Sequence, residues 1–355
     1  MRPKFGLIAV ICVTVAIFWA ADIFLARMEN TELQSEARHD ADDGARLLAT
    51  GHAAAAVDAF RKAHALKRGN DRYTLQLAEA LVADGKLDEA QSTLTEVLET
   101  RPNDGRANLI EARVMERRGM QQEASAYYHR AIYGIWPEQA DKQRIQVRLE
   151  LANQLAERKS NQELLAELIP LESEAQHDLP VRRQVAHLYI VAGSPARAVT
   201  AYRALIRDDP QDGANYAGLG EAELALGSYR AAQSAFQNAI RHGAYAHDRL
   251  ELATKMADLD PTVRSLSAME KFTRSTSILQ QARYALAQCS STDQANKLVS
   301  DADTLLKAKI RGNVTNEMSE QRLAAAQDLW QLRVDTCPAA PPNEPLQLIM
   351  AKLAQ

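Results

Sequence analysis

Little in this chain of 355 residues is extreme, and what is scarce narrows its class first. There are only three cysteines, none in a Cys-x-x-Cys pair, which excludes a disulfide-built mini-domain and every common zinc-finger spacing. Aromatics make up 5% of the residues, while alanine and leucine are abundant, so sheets built on aromatic and β-branched side chains are disfavoured and helices packed through small residues are expected. The net charge of −4 comes from interspersed signs and leaves no basic footprint for a phosphate backbone, so nucleic acid is not an expected partner. With 46% hydrophobic and 25% charged residues, the chain has the composition of a folded protein.

One long apolar run is present. Phe5–Leu25 (FGLIAVICVTVAIFWAADIFL) carries a single charge, Asp22, and at about 1.5 Å per residue spans a hydrocarbon core of about 30 Å. It is longer than the apolar part of a cleaved signal peptide and has no small-x-small site after it, so residues 5–25 are expected to be a transmembrane signal-anchor helix. Arg2 and Lys4 precede it, whereas Arg27 and Arg38 lie among Asp22, Glu29, Glu32 and Glu36. That bias puts residues 1–4 in the cytoplasm and the remainder, after a linker at 26–36, outside: a single-pass protein of a bacterial inner membrane with a periplasmic C-terminal part. The bias is small, and a cytoplasmic array is the alternative.

Self-similarity dominates the chain beyond residue 36. Gly51, Gly85 and Gly119 recur every 34 residues, as do Ala56, Ala90 and Ala124, and Phe60, Leu94 and Tyr128, with Ala63, Val97 and Ala131 three further on. After a slip of about six residues the columns resume at Gly193 and Gly227, Ala198 and Ala232, Tyr202 and Phe236, and Leu205 and Ala239. Pro102 and Pro210 fall at unit ends. Each unit reads as two helices joined at the glycine, which takes the left-handed turn conformation, with apolar stripes that only stacked neighbours can bury.

These columns, and stretches such as GANYAGLGEAELALGSYRAAQSAFQNAIRHG from Gly213 to Gly243, resemble the tetratricopeptide repeat (TPR) family. The resemblance spans residues 37–246 as about six units: 37–70, 71–104, 105–138, 145–178, 179–212 and 213–246. The fourth departs from the pattern at Lys159 and Leu164, and the first has Asp40 and Asp43 where large residues are usual, as a polar cap would. It implies an all-α, right-handed solenoid whose first helices line a groove for a peptide or partner helix. Carried over by position, the groove holds Arg72, Leu75, Glu79, Arg106, Leu109, Arg113, Asn153, Arg183, His187, Ile190 and Glu221. Arg106 and Arg113, with Arg117, are expected to make it locally basic and able to pair with a carboxylate. The insertion YGIWPEQADKQR at 133–144 is a longer turn whose Trp136 either packs between units or stands exposed as an anchor.

Beyond the repeats, residues 247–288 read as capping helices, with a break at Pro261 and a helix over Thr262–Gln288. Helices over Thr292–Ile310 and Asn316–Val334, turned by Gly312 and Asn313, read as a hairpin within 289–337. Cys289 and Cys337 flank its open base, so a disulfide between them is a candidate; inert thiols are the alternative. The tail, 338–355, reads as a linker ending in a short helix.

No histidine pair at metal-binding spacing, phosphate loop, dinucleotide fingerprint or Gly-x-Ser-x-Gly elbow occurs. The expectation is therefore a non-enzymatic scaffold with no cofactor, metal or small-molecule substrate, whose partners are other proteins and the membrane. An envelope assembly is the expected setting, and a cytoplasm-facing regulatory subunit of a membrane enzyme or transporter is the alternative.

Overall fold

The computed structural model describes residues 3–309, 312–339 and 344–354, with side chains from residue 17 onward. The described residues form seventeen α-helices and no strand, in two compact units, residues 1–157 and 158–355.

The first unit contains α1 (Pro3–Ala49), α2 (Ala53–Leu66), α3 (Asp71–Ala83), α4 (Leu87–Thr100), α5 (Gly105–Arg117), α6 (Gln121–Ile132) and α7 (Ala140–Glu157). Helices alternate in direction because each pair turns at one of the periodic glycines. Gly85 has φ +79°, its N–H donates to the Val82 carbonyl at 3.1 Å, and the next N–H, of Lys86, reaches the Leu81 carbonyl at 2.9 Å. That is the Schellman closure, which a Cβ would strain. The next helix of the same sense starts on an acidic or amide cap: the Asn70 side chain accepts from Arg72 N, and that of Asp104 from Ala107 N. Ala56, Ala90 and Ala124 are fully buried, as are Phe60, Leu94 and Tyr128 four residues on, so the small column permits close approach and the large one fills the gap.

Residues 26–36 are helical: α1 continues through them without a break, and its last turns serve as the first helix of the first pair. Ala37 and Ala41 are buried there, and a Cβ on Gly44 would lie 2.9 Å from the Phe60 ring. Small residues stand in this helix because α2 places a phenylalanine against it. Among the described residues no helix is long and apolar enough to cross a membrane; the side chains of residues 5–16, over half of the expected span, lie outside the described ones.

The second unit contains α8 (Asn161–Glu174), α9 (Leu179–Val191), α10 (Pro195–Asp208), α11 (Gly213–Ala225), α12 (Tyr229–Arg241), α13 (His247–Leu259), α14 (Ala268–Ala287), α15 (Asp293–Lys307), α16 (Asn316–Thr336) and α17 (Pro345–Leu353). Gly193 and Gly227 take the same left-handed turn, and Asp178 and Asp212 cap α9 and α11. Helix α11 is drawn unusually close to its neighbours: a Cβ on Gly218 would fall 2.2 Å from Tyr202, and one on Gly220 2.4 Å from Phe236. Lys159, where the pattern lacks its glycine, still adopts φ +58°.

Three features differ from expectation. The capping helix begins at Ala268 rather than Thr262, because Ser267 and Glu270 form a reciprocal capping box that fixes its start. Helix α14 packs more extensively against α16 than α15 does, so the end of the chain is a three-helix bundle rather than a lone hairpin. The short helix expected at the end of the tail is docked rather than free: Leu346, Ile349 and Met350 of α17 are buried against α13 and α14. Lys352 locks α17 there, its Nζ 2.7 Å from Oδ2 of buried Asp260, 2.9 Å from the Gly227 carbonyl, and over the Tyr229 ring. Cys289 and Cys337 are joined by a disulfide, Cα–Cα 5.8 Å, which ties the end of α14 to the end of α16.

Candidate partner-binding face

The odd-numbered helices of the repeats carry the groove residues, and their polar side chains are linked from one pair to the next. In the first unit Arg106 Nε and Nη2 donate to the two Glu79 oxygens at 2.9 and 2.6 Å, joining α5 to α3. Arg113 reaches Glu150 of α7 in the same forked way, at 2.8 Å for each bond. The buried Tyr128 hydroxyl donates to Glu150 Oε1 at 3.0 Å, so this carboxylate is held from two sides. Arg117 donates to the Val82 carbonyl at 2.6 Å.

Charge and burial compete at these pairs. Burial favours the neutral form of Glu150, but the hydrogen bonds and charge of Arg113 outweigh it and hold the carboxyl below its ordinary range. Burial likewise opposes the charge of Arg106, and the Glu79 bonds more than offset it; at Arg113 the Glu150 bonds lead, and both guanidiniums stay firmly charged. Burial and then Glu150 push the Tyr128 hydroxyl up, so it remains a donor at any ordinary pH.

The second unit repeats the device. Arg183 of α9 donates to Asn215 Oδ1 at 3.0 Å and also pairs with Asp212, while Arg249 of α13 forks onto both oxygens of Glu221 on α11. The three bonded pairs Glu79–Arg106, Arg183–Asp212 and Glu221–Arg249 are 27, 29 and 28 residues apart.

The expectation of a basic groove is thereby corrected. Arg106 and Arg113 are each matched by a carboxylate from a neighbouring helix, and these arginines brace the stack. Leu75 and Leu109 are buried, and Ile190 is half-buried. Exposed on the same series of helices are Arg72 on α3, Asn153 on α7 and His187 on α9. Their side chains make no bond to a neighbouring helix among the described residues, while Glu79, Arg106, Arg113, Arg183 and Glu221 are occupied. Trp136 packs inward: its Nε1 donates to the Ala131 carbonyl at 2.8 Å and its ring lies against Gly105. The exposed apolar side chains of that junction are its neighbours Tyr133 and Ile135. Glu150, Asp212 and Arg249, the other halves of the pairs, were missed by a column search for apolar and small residues. For Asp212 and Arg249, opposite charges recurring about 28 residues apart were the available signal; Glu150, 37 residues from Arg113, falls outside that spacing. Among the described residues no group of three His, Cys, Asp or Glu side chains is placed to hold a metal ion.

Residues 47–114 and residues 186–248 each match the tetratricopeptide repeat family. The chain carries tetratricopeptide repeats. These two matches fall one in each compact unit; the first takes in the Glu79–Arg106 pair, and the second takes in Asp212 and Glu221. Several solved TPR proteins are similar at low identity. YrrB, described as a TPR protein with an unusual peptide-binding site, is 18% identical over 56% of this chain and 99% of its own, with a TM-score of 0.43. The TPR2AB domain of yeast Sti1, solved in complex with an Hsp90 peptide, is 16% identical over 82% of this chain and 98% of its own, with a TM-score of 0.31. PilF of Pseudomonas aeruginosa is 15% identical over 71% of this chain and 95% of its own, with a TM-score of 0.34. No curated protein matches the chain.

Proposed function

We propose that this protein is a membrane-anchored TPR scaffold that holds a peptide or helix of another protein against the first-helix face of its repeats, within an assembly of the bacterial envelope. The observation that carries the reading is the braced face itself. Within each unit, ion pairs between successive first helices fix their spacing, and they leave Asn153 exposed on the pre-ordered face of the first unit and His187 on that of the second. A surface ordered before binding loses little entropy when a partner docks.

Three features support the anchor and its side. The apolar run and the first repeat helix are one helix, α1. At its described end, Ile17, Phe18, Trp19, Phe24 and Leu25 are exposed and, at 100° per residue, face all directions, as suits a helix surrounded by lipid. The disulfide Cys289–Cys337 fits the oxidising side of the membrane better than the cytosol.

The test is thiol labelling in intact cells with an impermeant maleimide, using a Cys12→Ala chain. The reading expects Cys289 and Cys337 to label only after external reduction, and the chain to stay in the membrane pellet through alkaline carbonate. Labelling only after lysis transfers the repeats to the cytoplasm, and release by carbonate removes the anchor.

A further inference from the structure

The α2–α3 turn of the first unit is basic, and its level along α1 can be read. Gly44 meets Phe60, and Asn30 meets Lys67, so α2 runs antiparallel to α1 and carries its C-terminal end back toward the apolar segment. Asn30 is five residues beyond Leu25, a rise of about 7.5 Å. A headgroup layer extends roughly 5–7 Å beyond the hydrocarbon on each side, so the turn between α2 and α3 sits at headgroup level. This inference rests on the anchor proposed above.

That turn holds Lys67, Arg68 and Arg72. Lys67 meets only the neutral Asn30, and Arg68 and Arg72 are exposed with no ion partner among the described residues. The acidic residues of this turn and the next are already taken, because Arg101 bonds Asp71 at 2.6 Å and lies 3.6 Å from Asp104; Glu29 and Glu32 remain exposed on α1. The same contacts continue the edge: Ile135 N donates to the Asn103 carbonyl at 2.7 Å, which brings the exposed Tyr133 and Ile135 next to the α4–α5 turn. Unmatched cations followed by an exposed aromatic and an aliphatic side chain suit a charged interface better than they suit bulk water.

We propose that the α2–α3 turn docks on the membrane through Lys67, Arg68 and Arg72, binding the phosphates of anionic phospholipids and fixing the orientation of the first repeats over the bilayer. The helix linking anchor to repeats has no flexible segment, so the turn is held at the surface rather than sampling it. Each cation near an anionic surface strengthens the attraction, and salt weakens it.

The full chain is incorporated into nanodiscs of phosphatidylcholine alone and of phosphatidylcholine mixed with phosphatidylglycerol, and amide exchange is followed for residues 67–72. Exchange is expected to slow by about ten-fold in the anionic discs at low salt, and the difference to vanish at high salt. The chain bearing Lys67→Glu, Arg68→Glu and Arg72→Glu should show no lipid dependence, with unchanged protection of α5 reporting that the unit is folded. Incorporation with equal exchange in both lipids overturns the docking alone. Elution of the chain apart from the discs overturns the anchor, and the docking with it.

Discussion

Replacing Arg113 by leucine tests whether the inter-helix ion pairs brace the stack. The substitution keeps the aliphatic stem's bulk but leaves Glu150 with Tyr128 as its one remaining partner in a half-buried site. Losing one member of a fully buried pair costs about 3–5 kcal/mol, and an exposed pair is worth about 0–1 kcal/mol. With side chains 39% and 30% exposed, this pair falls between those limits. A loss of about 2 kcal/mol is expected, which lowers the unfolding midpoint of a unit of this size by about 5 °C. The cost comes from the stranded carboxylate, so adding Glu150→Gln to Arg113→Leu should recover much of it. Acid should have the same effect. Because the folded carboxyl is the stronger acid, the stabilisation it draws from Arg113 is fully present above the unfolded value of 4.5 and fades as the pH falls through the folded value. The gap between wild type and Arg113→Leu should therefore narrow below that pH. Thermal unfolding by circular dichroism of the detergent-solubilised full chain, at neutral and acid pH, measures all of this. If the single and double variants are equally unstable, or if Arg113→Leu costs nothing at neutral pH, the bracing argument is refuted.

Three other substitutions probe separate links. Gly220→Ala should destabilise the chain by about 2 kcal/mol despite alanine's better helix propensity, because its Cβ overlaps buried Phe236; an unchanged melting curve contradicts the close-approach account. Cys289→Ser opens a loop with a sequence separation of 48 and should cost the C-terminal bundle about 4 kcal/mol, read as earlier loss of amide protection in α14 and α16. Lys352→Met removes the ion partner of buried Asp260, leaving it the Thr262 hydrogen bonds, and should detach α17, exposing that helix to limited proteolysis; Asp260→Asn in the same chain should restore part of the resistance.

The repeat is legible because its signals are local and periodic. One residue per unit, glycine in all but the fourth, must take a left-handed turn, one small residue must let helices touch, and one large residue must fill the space between pairs, so each leaves a column with a 34-residue step. The bracing is less legible because Arg113 and Glu150 are 37 residues apart and Glu221 and Arg249 are 28 apart, and nothing in either residue's own neighbourhood marks the partner. Reading Arg106 and Arg113 by position alone therefore turned structural cations into a basic groove. The continuity of α1 was hidden for a different reason: a charged stretch between an apolar run and a repeat resembles a linker, although Glu29, Glu32 and Glu36 are good helix formers with no breaker among them. The docking of α17 was hidden because a nine-residue helix has weak local propensity and is held by a tertiary contact to Asp260, 92 residues away.

The central claim is that the exposed first-helix face receives another protein. Photo-crosslinking side chains placed singly at Asn153 and His187 in the full chain, with Arg230 on α12 as a control position, test it in native membranes. The account predicts discrete crosslinked species at the first two positions and none at Arg230. Equal crosslinking at all three positions, or none at Asn153 and His187, contradicts it.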